Sequence, residues 1–366
     1  MNLFYISTNH IYGGSEKLWI KSALELSSNH SITAFVHYKS SFLDELSSNG
    51  IQLILSNILE KNRFKSFLRS KLKGTLDLKL NLLKCKPDLV VINEGGVFSS
   101  LQEMTLCHHL GIPYIVLNGL VTEVHWSHVT NYNYLNYLTL YQSAKALYFV
   151  SDQNSLLFSR MLTPLKNIRV LKNPCFYNYT KIPSYPITDS YSIAYIGRIE
   201  FYHKGLDLLL GAIQDPKWKT RNIRFNFYGE GPHEAVLKMK LKELDLDFCV
   251  FQPANFNFDE IWAKNHIAIH TSRFEGKSLS ITETMFNQRA IIMTNVGGVD
   301  ELIEDGLNGF VVPYLTIESV AETLEFAWQA RERWCEMGIQ SRLKYDRISE
   351  SSSLGKQIDD LIRNLN

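Results

Sequence analysis

Short apolar runs rich in β-branched and aromatic residues alternate with amphipathic segments along the first half of the chain. One such segment, EKLWIKSALELSS, shows the apolar spacing of a helix. Runs of apolar residues separated by helical patterns are typical of βα units with a parallel sheet. The pattern predicts strands at residues 3–7, 32–38, 88–93, 112–118 and 145–151.

The same alternation begins again near residue 192. It predicts strands at residues 192–197, 223–229, 247–252, 267–272, 290–295 and 309–313, and helices from there to the end of the chain. Between the two series, residues 174–190 contain Pro174, Pro183 and Pro186 and no helical period, which indicates a hinge. We therefore predict an α/β fold of two Rossmann-like, doubly wound domains. They are an N-terminal domain of residues 1–176 and a second domain of residues 177–345, followed by a C-terminal helix of residues 346–366.

Composition restricts the class of protein. The 366 residues are 45% hydrophobic, which is sufficient for two cores, and 38 Lys and Arg balance 37 Asp and Glu. That balance gives no reason to expect a nucleic-acid partner. Five scattered cysteines without paired spacing favour a reducing cytoplasm, with neither a disulfide framework nor a structural zinc site. No signal sequence or run of about 18 apolar residues is present, so we expect a soluble or peripheral cytoplasmic protein.

Two glutamates eight residues apart, Glu275 and Glu283, carry the strongest chemical signal. A Gly- and Ser-containing turn follows Glu275, and Glu283 comes about two helical turns later. The backbone amides between them are candidates for a helix N-terminus, which favours anions. Carboxylates accept hydrogen bonds from sugar hydroxyls, whereas free N–H groups bind phosphate oxygens. The pattern therefore indicates a nucleotide sugar as ligand.

Two cations, Arg198 and Lys204, follow the predicted strand that ends at Gly197. On a loop that leads into a helix they could bind a diphosphate, the arginine as a planar fork and the lysine as a point charge. Taken alone, the two could equally be solvated loop cations.

In the first domain, polar and glycine residues follow several predicted strands. Gly13 and Gly14 permit a close backbone approach before a helix that Ser15 could cap, which suits a phosphate or oxyanion, although a plain turn is the alternative. Asn93 and Glu94 end one strand and could line the acceptor side of a cleft, although a purely structural role for both is an equal alternative. His125 and His128 are further candidates for acceptor contact, with an ordinary polar loop as the alternative.

The order of motifs in residues 193–313 resembles that of the retaining glycosyltransferases of family 4, which have the GT-B fold. The matching segments are GRIEFYHKG, FYGEGPHE and FEGKSLSITET, followed by a Gly-Gly, Glu, Gly, Gly run. The resemblance implies two Rossmann-like domains that face each other across a cleft, with the C-terminal helix packed back on the first. It also implies that Arg198 and Lys204 bind the donor pyrophosphate, Glu275 the sugar hydroxyls and Glu283 the ribose. Backbone amides would meet sugar and phosphate at Gly276, Lys277, Ser278 and Leu279. The Gly-Gly turn at Gly13 and Gly14 matches the family's Gly-Gly-x-Glu.

Two positions depart from the family pattern. Lys277-Ser278 stands where Phe-Gly is usual, so the lysine would either add positive charge beside the donor or point to solvent. Asn118 stands where the family commonly has a histidine near the reacting centre. In the usual proposal for retaining transfer the leaving phosphate oxygen takes the acceptor's proton, so Asn118 could still orient the sugar without acting as a base.

From these features we expect a hexosyltransferase that moves a sugar from a nucleoside diphosphate, with a UDP-sugar favoured over a GDP-sugar. The acceptor would be a glycan or lipid-linked glycan of the cell-surface polysaccharide or lipopolysaccharide type. We expect no cofactor and no metal, because Asp245 and Asp247 lie where a predicted strand begins, away from its carboxyl end, and fit a helix-to-strand turn. The alternatives are a non-catalytic subunit that binds nucleotide sugars and a sugar-nucleotide epimerase.

Residues 61–73 form a basic amphipathic pattern in which six cations alternate with apolar residues at helical spacing. The functional interpretation of this pattern is docking on an anionic membrane surface, where each cation contributes about 1 kcal/mol, or on a lipid-linked acceptor. The alternative is a helix that packs on the core with a solvated basic face.

Overall fold

The computed structural model describes residues 1–7, 9, 14–37, 42–56, 65–163, 165–171, 182–252, 258–349 and 353–364, and the side chains of residues 42, 65–73 and 258 are outside that description. The chain divides into two compact units. The first is Met1–Pro174 with Ser351–Asn366, and the second is Cys175–Glu350.

Each unit contains one parallel sheet. The strands of the first are β1 (Asn2–Ser7), β2 (Ser31–Val36), β3 (Gln52–Leu55), β4 (Leu89–Glu94), β5 (Tyr114–Asn118), β6 (Ala146–Phe149) and β7 (Ile168–Val170). Those of the second are β8 (Tyr191–Ile196), β9 (Ile223–Tyr228), β10 (Cys249–Gln252), β11 (Ile267–His270), β12 (Ala290–Thr294) and β13 (Phe310–Val312). The strand orders are β3-β2-β1-β4-β5-β6-β7 and β10-β9-β8-β11-β12-β13.

Helices connect the strands as the amphipathic segments predict. In the first unit they are α1 (Gly14–Leu26), α2 (Phe42–Ser48), α3 (Lys65–Cys85), α4 (Leu101–His109), α5 (Tyr134–Ser143) and α6 (Asp152–Met161). In the second they are α7 (Phe201–Lys204), α8 (Leu206–Ile213), α9 (Glu234–Glu243), α10 (Phe258–Lys264), α11 (Leu279–Phe286), α12 (Val299–Leu302), α13 (Ile317–Gln329) and α14 (Trp334–Ser349). The last helix, α15 (Leu354–Arg363), belongs to the first unit.

The second sheet is buried on both faces, as its nearly continuous apolar strands require. Along β8, Ile193 and Tyr195 pack into one core cluster, whereas Ala194 and Ile196 pack into the other. Successive side chains of a strand point to opposite faces, so this alternation fixes the register of the sheet between two layers of helices. The prediction of doubly wound α/β architecture is confirmed.

The C-terminal helix α15 packs against α1 of the first unit. Leu354, Ile358 and Ile362 recur at helical spacing and are buried, and His30 lies 3.1 Å from the Asp359 carboxylate. A stripe at positions i, i+4 and i+8 is the apolar face that a surface helix buries. Residues from the C-terminal end of the chain thereby complete the first unit.

Three sequence predictions concern residues or side chains that the structure does not describe. Residues 174–181 of the expected hinge are outside it, and so are the side chains of residues 61–73, although α3 begins at Lys65. Gly13 also lies outside the described residues. Among the helices that the structure does describe, none combines the length and the apolarity needed to span a membrane.

Candidate functional site

The carboxyl ends of β8 and β11 form the site in the second unit. These neighbouring strands lie where the strand order reverses, which is where doubly wound sheets bind ligands. Lys204 follows β8 and Glu275 follows β11, and the lysine Nζ lies 2.6 Å from the glutamate Oε1. Ser272 donates a second hydrogen bond to the same oxygen, at 2.7 Å. Two residues singled out by the sequence are therefore joined in one ion pair.

The Glu275 carboxyl is nearly enclosed, with 10% of its side chain exposed. Burial alone would raise its pKa, but the Lys204 ammonium, His203 and the Ser272 hydroxyl together hold the pKa below its usual value. The group is therefore a carboxylate at neutral pH. Only 18% of the Lys204 side chain is exposed, so this pair is screened far less than a surface pair.

Backbone packing fixes the distance between these two loops. Gly205 has a φ of +60°, and a Cβ at this position would come 1.8 Å from the Thr271 carbonyl oxygen. The Thr271 hydroxyl donates to the Gly205 carbonyl at 2.8 Å, and Arg273 binds both carboxylate oxygens of Asp207 at 2.7 and 2.6 Å. Only glycine combines this conformation with such a close approach. The loop after β11 is thus attached to the turn that carries Lys204.

Arg198 lies on the same loop as Lys204 but does not join the Glu275 pair. Its side chain is 46% exposed, and its guanidinium is 3.6 Å from the Glu200 carboxylate. Glu200 is itself the N-cap of α7 and accepts backbone hydrogen bonds from Tyr202 and His203. Arg198 therefore keeps most of its donors accessible to a ligand, whereas Lys204 is held in place.

The segment between the paired glutamates leads directly into α11, which begins at Leu279 with Ser278 as N-cap. Gly276 follows Glu275, so this backbone lies beside the ion pair. Glu283 lies inside α11 with 2% of its surface exposed. The arrangement joins a carboxylate, an ammonium and a helix N-terminus, which suits a ligand with both hydroxyl and phosphate groups.

The Lys277 side chain does not point to solvent. Only 4% of it is exposed, and its Nζ lies 3.4 Å from the Glu301 carboxylate of α12. The interpretation of Lys277 as a solvated cation is wrong, because α12 supplies a carboxylate that compensates the buried ammonium. Its positive charge is partly neutralised within the protein.

Two residues of this site were not assigned from the sequence. Gly297 has a φ of +66°, and a Cβ there would come 2.7 Å from the Glu275 Cβ. The sequence shows the Gly-Gly pair that contains Gly297, but it does not show the contact between Gly297 and Glu275. His270 ends β11 and is 2% exposed, and burial together with the nearby Lys204 lowers its pKa to about 4. It therefore adds no charge to the site at neutral pH.

A buried carboxylate, Glu16, organises the first switch point between β1 and β4. It has 0% exposure and accepts hydrogen bonds from Ser7 at 2.9 and 3.0 Å, and from the side chains of Asn9, Trp19 and Asn93 at 2.7, 2.7 and 2.6 Å. The predicted site residue Asn93 therefore binds Glu16 and connects β4 to α1. Glu16 was not among the predicted site residues, although the Gly-Gly-x-Glu pattern contains it.

Glu94 is also fully buried, with 0% exposure. Its two oxygens accept hydrogen bonds from the Ser100 backbone N–H and the Tyr141 hydroxyl, both at 2.8 Å. Burial raises its pKa to about 8, even though these hydrogen bonds oppose the shift. These hydrogen bonds hold the loop from Glu94 to Ser100. Within that loop Phe98 adopts a φ of +69°, which is strained for a residue with a side chain. Glu94 thus holds the loop that leaves β4.

Asn118 is buried at the end of β5 with 1% exposure. Its Nδ2 donates to the Tyr148 carbonyl at 3.3 Å, and within the described residues its Oδ1 has no hydrogen-bond partner. Gly14, the other glycine of the predicted turn, is the first residue of α1.

The two histidines lie on a short 3₁₀ helix, Glu123–His128, with their rings 6.1 Å apart. The Nδ1 of His125 accepts the Thr122 backbone N–H at 2.9 Å, and a Cβ on Gly96 would come 3.3 Å from its Nε2. Burial, followed by the nearby His128, lowers the pKa of His125. Unlike Asn93 and Glu94, His128 is exposed, so these candidates differ in their access to an acceptor.

The chain is similar to a known protein family and to several glycosyltransferases. Residues 190–329 match the family described as Glycosyl transferases group 1. The chain is 24% identical over 208 residues to the gpi3 subunit of phosphatidylinositol N-acetylglucosaminyltransferase from Schizosaccharomyces pombe, which covers 52% of this chain and 45% of that protein. It is 28% identical over 145 residues to alpha-D-kanosaminyltransferase from Streptomyces kanamyceticus, with 38% and 37% covered. The matches thus span less than half of either relative.

The crystal structure of Anabaena HepE in complex with UDP-glucose has a TM-score of 0.78 and 15% sequence identity, and the match covers 100% of both chains. At this identity the likeness concerns the fold, and it confirms the predicted GT-B type.

Proposed function

Residues 190–329 match the family described as Glycosyl transferases group 1, and on that premise we propose that the chain is a retaining hexosyltransferase that uses a nucleoside-diphosphate sugar. The observation that carries the proposal is the Lys204–Glu275 pair at the switch point beside the start of α11. It offers a fixed cation for phosphate and a charged acceptor for sugar hydroxyls within one small site.

In the proposed reaction, the acceptor oxygen forms a bond to the anomeric carbon as the bond from that carbon to the diphosphate oxygen breaks. The proton of the acceptor hydroxyl passes to the leaving phosphate oxygen. Arg198 and Lys204 stabilise the charge that develops on the diphosphate, so the proposal needs neither a metal nor a protein base. The Lys204 ammonium has three N–H donors and can bind a phosphate oxygen while it keeps Glu275 in place.

In the proposed donor site, neighbouring residues bind different parts of the nucleotide sugar. Glu275 accepts hydrogen bonds from the sugar hydroxyls, Glu283 binds the ribose, and the backbone from Gly276 to Leu279 contacts sugar and phosphate. A UDP-sugar is the proposed donor, supported by the UDP-glucose bound in Anabaena HepE.

The first unit would bind the acceptor, a glycan or lipid-linked glycan destined for a cell-surface polysaccharide or lipopolysaccharide. Asn118, with its buried and unsatisfied carbonyl among the described residues, is the proposed contact to the transferred sugar. His125 and His128 are proposed acceptor contacts, whereas Asn93 and Glu94 act through the residues they hold. Association with an anionic membrane through residues 61–73 remains part of this proposal.

The first experiment is a thermal-stability screen with UDP-, GDP-, ADP- and dTDP-sugars. A ligand that binds only the folded state raises the unfolding temperature, and the largest rise is expected with a UDP-sugar. No rise with any donor would contradict the donor site.

The second experiment measures transfer, or slow donor hydrolysis, in Lys204→Ala. Loss of a preorganised donor to a developing anion costs about 3–4 kcal/mol, so a rate lower by about 10²–10³ is expected. Lys219→Ala is the matched control, because Lys219 also forms an ion pair in this unit but precedes β9. Tight donor binding without turnover across a panel of acceptors would instead support the non-catalytic binding subunit.

A further inference from the structure

Helix α3 presents a second apolar face to solvent. Leu76, Leu80 and Leu83 are 57%, 58% and 49% exposed, whereas Leu78 and Leu82 of the same helix are 3% and 0% exposed. A surface helix needs only one apolar stripe to pack on its core, and Leu78 with Leu82 provides it. The exposed leucines, called here the α3 leucine stripe, are not required by the fold.

Charged residues flank the stripe in a regular arrangement. Successive helical residues are about 100° apart, so the three leucines fall within one sector, with Lys79 on one side and Lys84 on the other. Lys86 follows directly after the helix. The acid within this stretch, Asp77, accepts a hydrogen bond from Asn81 at 3.1 Å. Asp77 lies about 20° beyond Lys84 on the helix, so the lysine edges, with Lys86, exceed the one acid and the surface is apolar at its centre with a net positive border.

We propose that the α3 leucine stripe and its flanking lysines bind the surface of an anionic lipid bilayer. The leucines would enter the boundary between headgroups and acyl chains, and the lysines would extend their charged ends to lipid phosphates. The preceding residues 61–73 contain six cations and no acid, so the charge continues along the sequence.

The lysines beside the α3 leucine stripe argue against a second copy of this chain as the partner that covers it. A symmetric contact through the stripe would place the same patch on both partners, so the lysines at its edges would face like charges. An anionic bilayer complements the lysines and buries the leucines together. The inference is independent of the transferase chemistry and concerns a different part of the chain from the donor site.

The test is cosedimentation of the full chain with vesicles of phosphatidylcholine alone and with phosphatidylglycerol added. Binding is expected only to the anionic vesicles and should weaken with salt. Leu76→Ser with Leu80→Ser and Leu83→Ser should lower the affinity about 100-fold, because each leucine has about half a side chain left to bury. Lys79→Glu with Lys84→Glu should lower it by at least about fivefold per lysine.

Matched controls make comparable changes elsewhere on the surface. Val236→Ser with Met239→Ser and Phe326→Ser removes three exposed apolar side chains from the second unit. Lys145→Glu with Lys166→Glu makes the same charge change at two exposed sites of the first unit. Both controls should bind as the unaltered protein does.

The inference is overturned if the leucine variant keeps full affinity while its unfolding temperature is unchanged, since residues 61–73 would then carry the binding alone. Equal binding to both kinds of vesicle, or to neither, also overturns it. A change in oligomeric state of the leucine variant on gel filtration would assign the stripe to a second copy instead.

Discussion

The buried carboxyl of Glu94 predicts a pH dependence that a single isosteric substitution should remove. Glu94 is completely enclosed, and its pKa is raised from 4.5 to about 8. Glutamine can accept the Ser100 N–H through its carbonyl. Its amide can donate to the Tyr141 oxygen if the Tyr141 hydroxyl, which donates to Glu94 here, rotates away, and the protonated acid requires the same rotation. Glu94→Gln therefore keeps the contacts and removes the titration.

The direction in which the free energy of unfolding changes with pH follows from proton binding in the folded and unfolded states. Between the unfolded pKa near 4.5 and the folded pKa near 8, the folded protein holds a proton that the unfolded chain has released. The free energy of unfolding must then fall as pH rises through this window, by at most about 1.4 kcal/mol per pH unit. Over the full window the loss from this one group is on the order of 5 kcal/mol.

The assay is amide hydrogen exchange by mass spectrometry on peptides that contain β4, at several pH values between about 5 and 8. This local readout is preferable to whole-chain unfolding, because two units need not unfold as one. After correction for the chemical exchange rate, protection relative to Glu94→Gln should decline with pH. Glu123→Gln, an exposed change in the same unit, should show no such trend. A pH-independent difference between Glu94→Gln and the unaltered protein would refute the reasoning.

Two further predictions concern the second unit. Gly205→Ala forces a side chain against the Thr271 carbonyl at a φ of +60°, so the unit should lose about 3 kcal/mol or more of stability, measured by thermal unfolding; an unchanged unfolding temperature would contradict the packing. Lys277→Met removes the buried ammonium that lies beside the donor segment and 3.4 Å from the Glu301 carboxylate, so the ratio of kcat/KM between two UDP-sugars should change at least about tenfold; an unaltered ratio would place Lys277 outside sugar selection.

Most of the fold could be predicted because buried strands give a strong apolar signal. All eleven predicted strands are present. The strands β3 and β7 were not predicted, and they form the two edges of the first sheet. Their residues are half-buried or exposed, and at four and three residues the segments QLIL and IRV are too short to show a strand pattern.

The candidate site could be predicted in outline, because ligand-binding residues of doubly wound sheets follow the strands. Position after a strand does not determine which way a side chain turns. Glu94 turns inward because Tyr141 of α5, 47 residues away, supplies a partner. Lys277 turns inward because Glu301 lies 24 residues later. Such choices depend on contacts between distant elements, which spacing alone cannot reveal.

The two buried acids illustrate how the same burial produces opposite charge states. At Glu275 the cost of burial is exceeded by Lys204, so the pKa falls and the carboxylate stays charged. At Glu94 the partners are neutral donors, so burial prevails and the pKa of about 8 keeps the group protonated at neutral pH. Environments that separate two carboxyl pKa values in this way give the groups different roles. The charged Glu275 suits direct contact with polar ligand groups, whereas the neutral Glu94 suits a role in holding its loop.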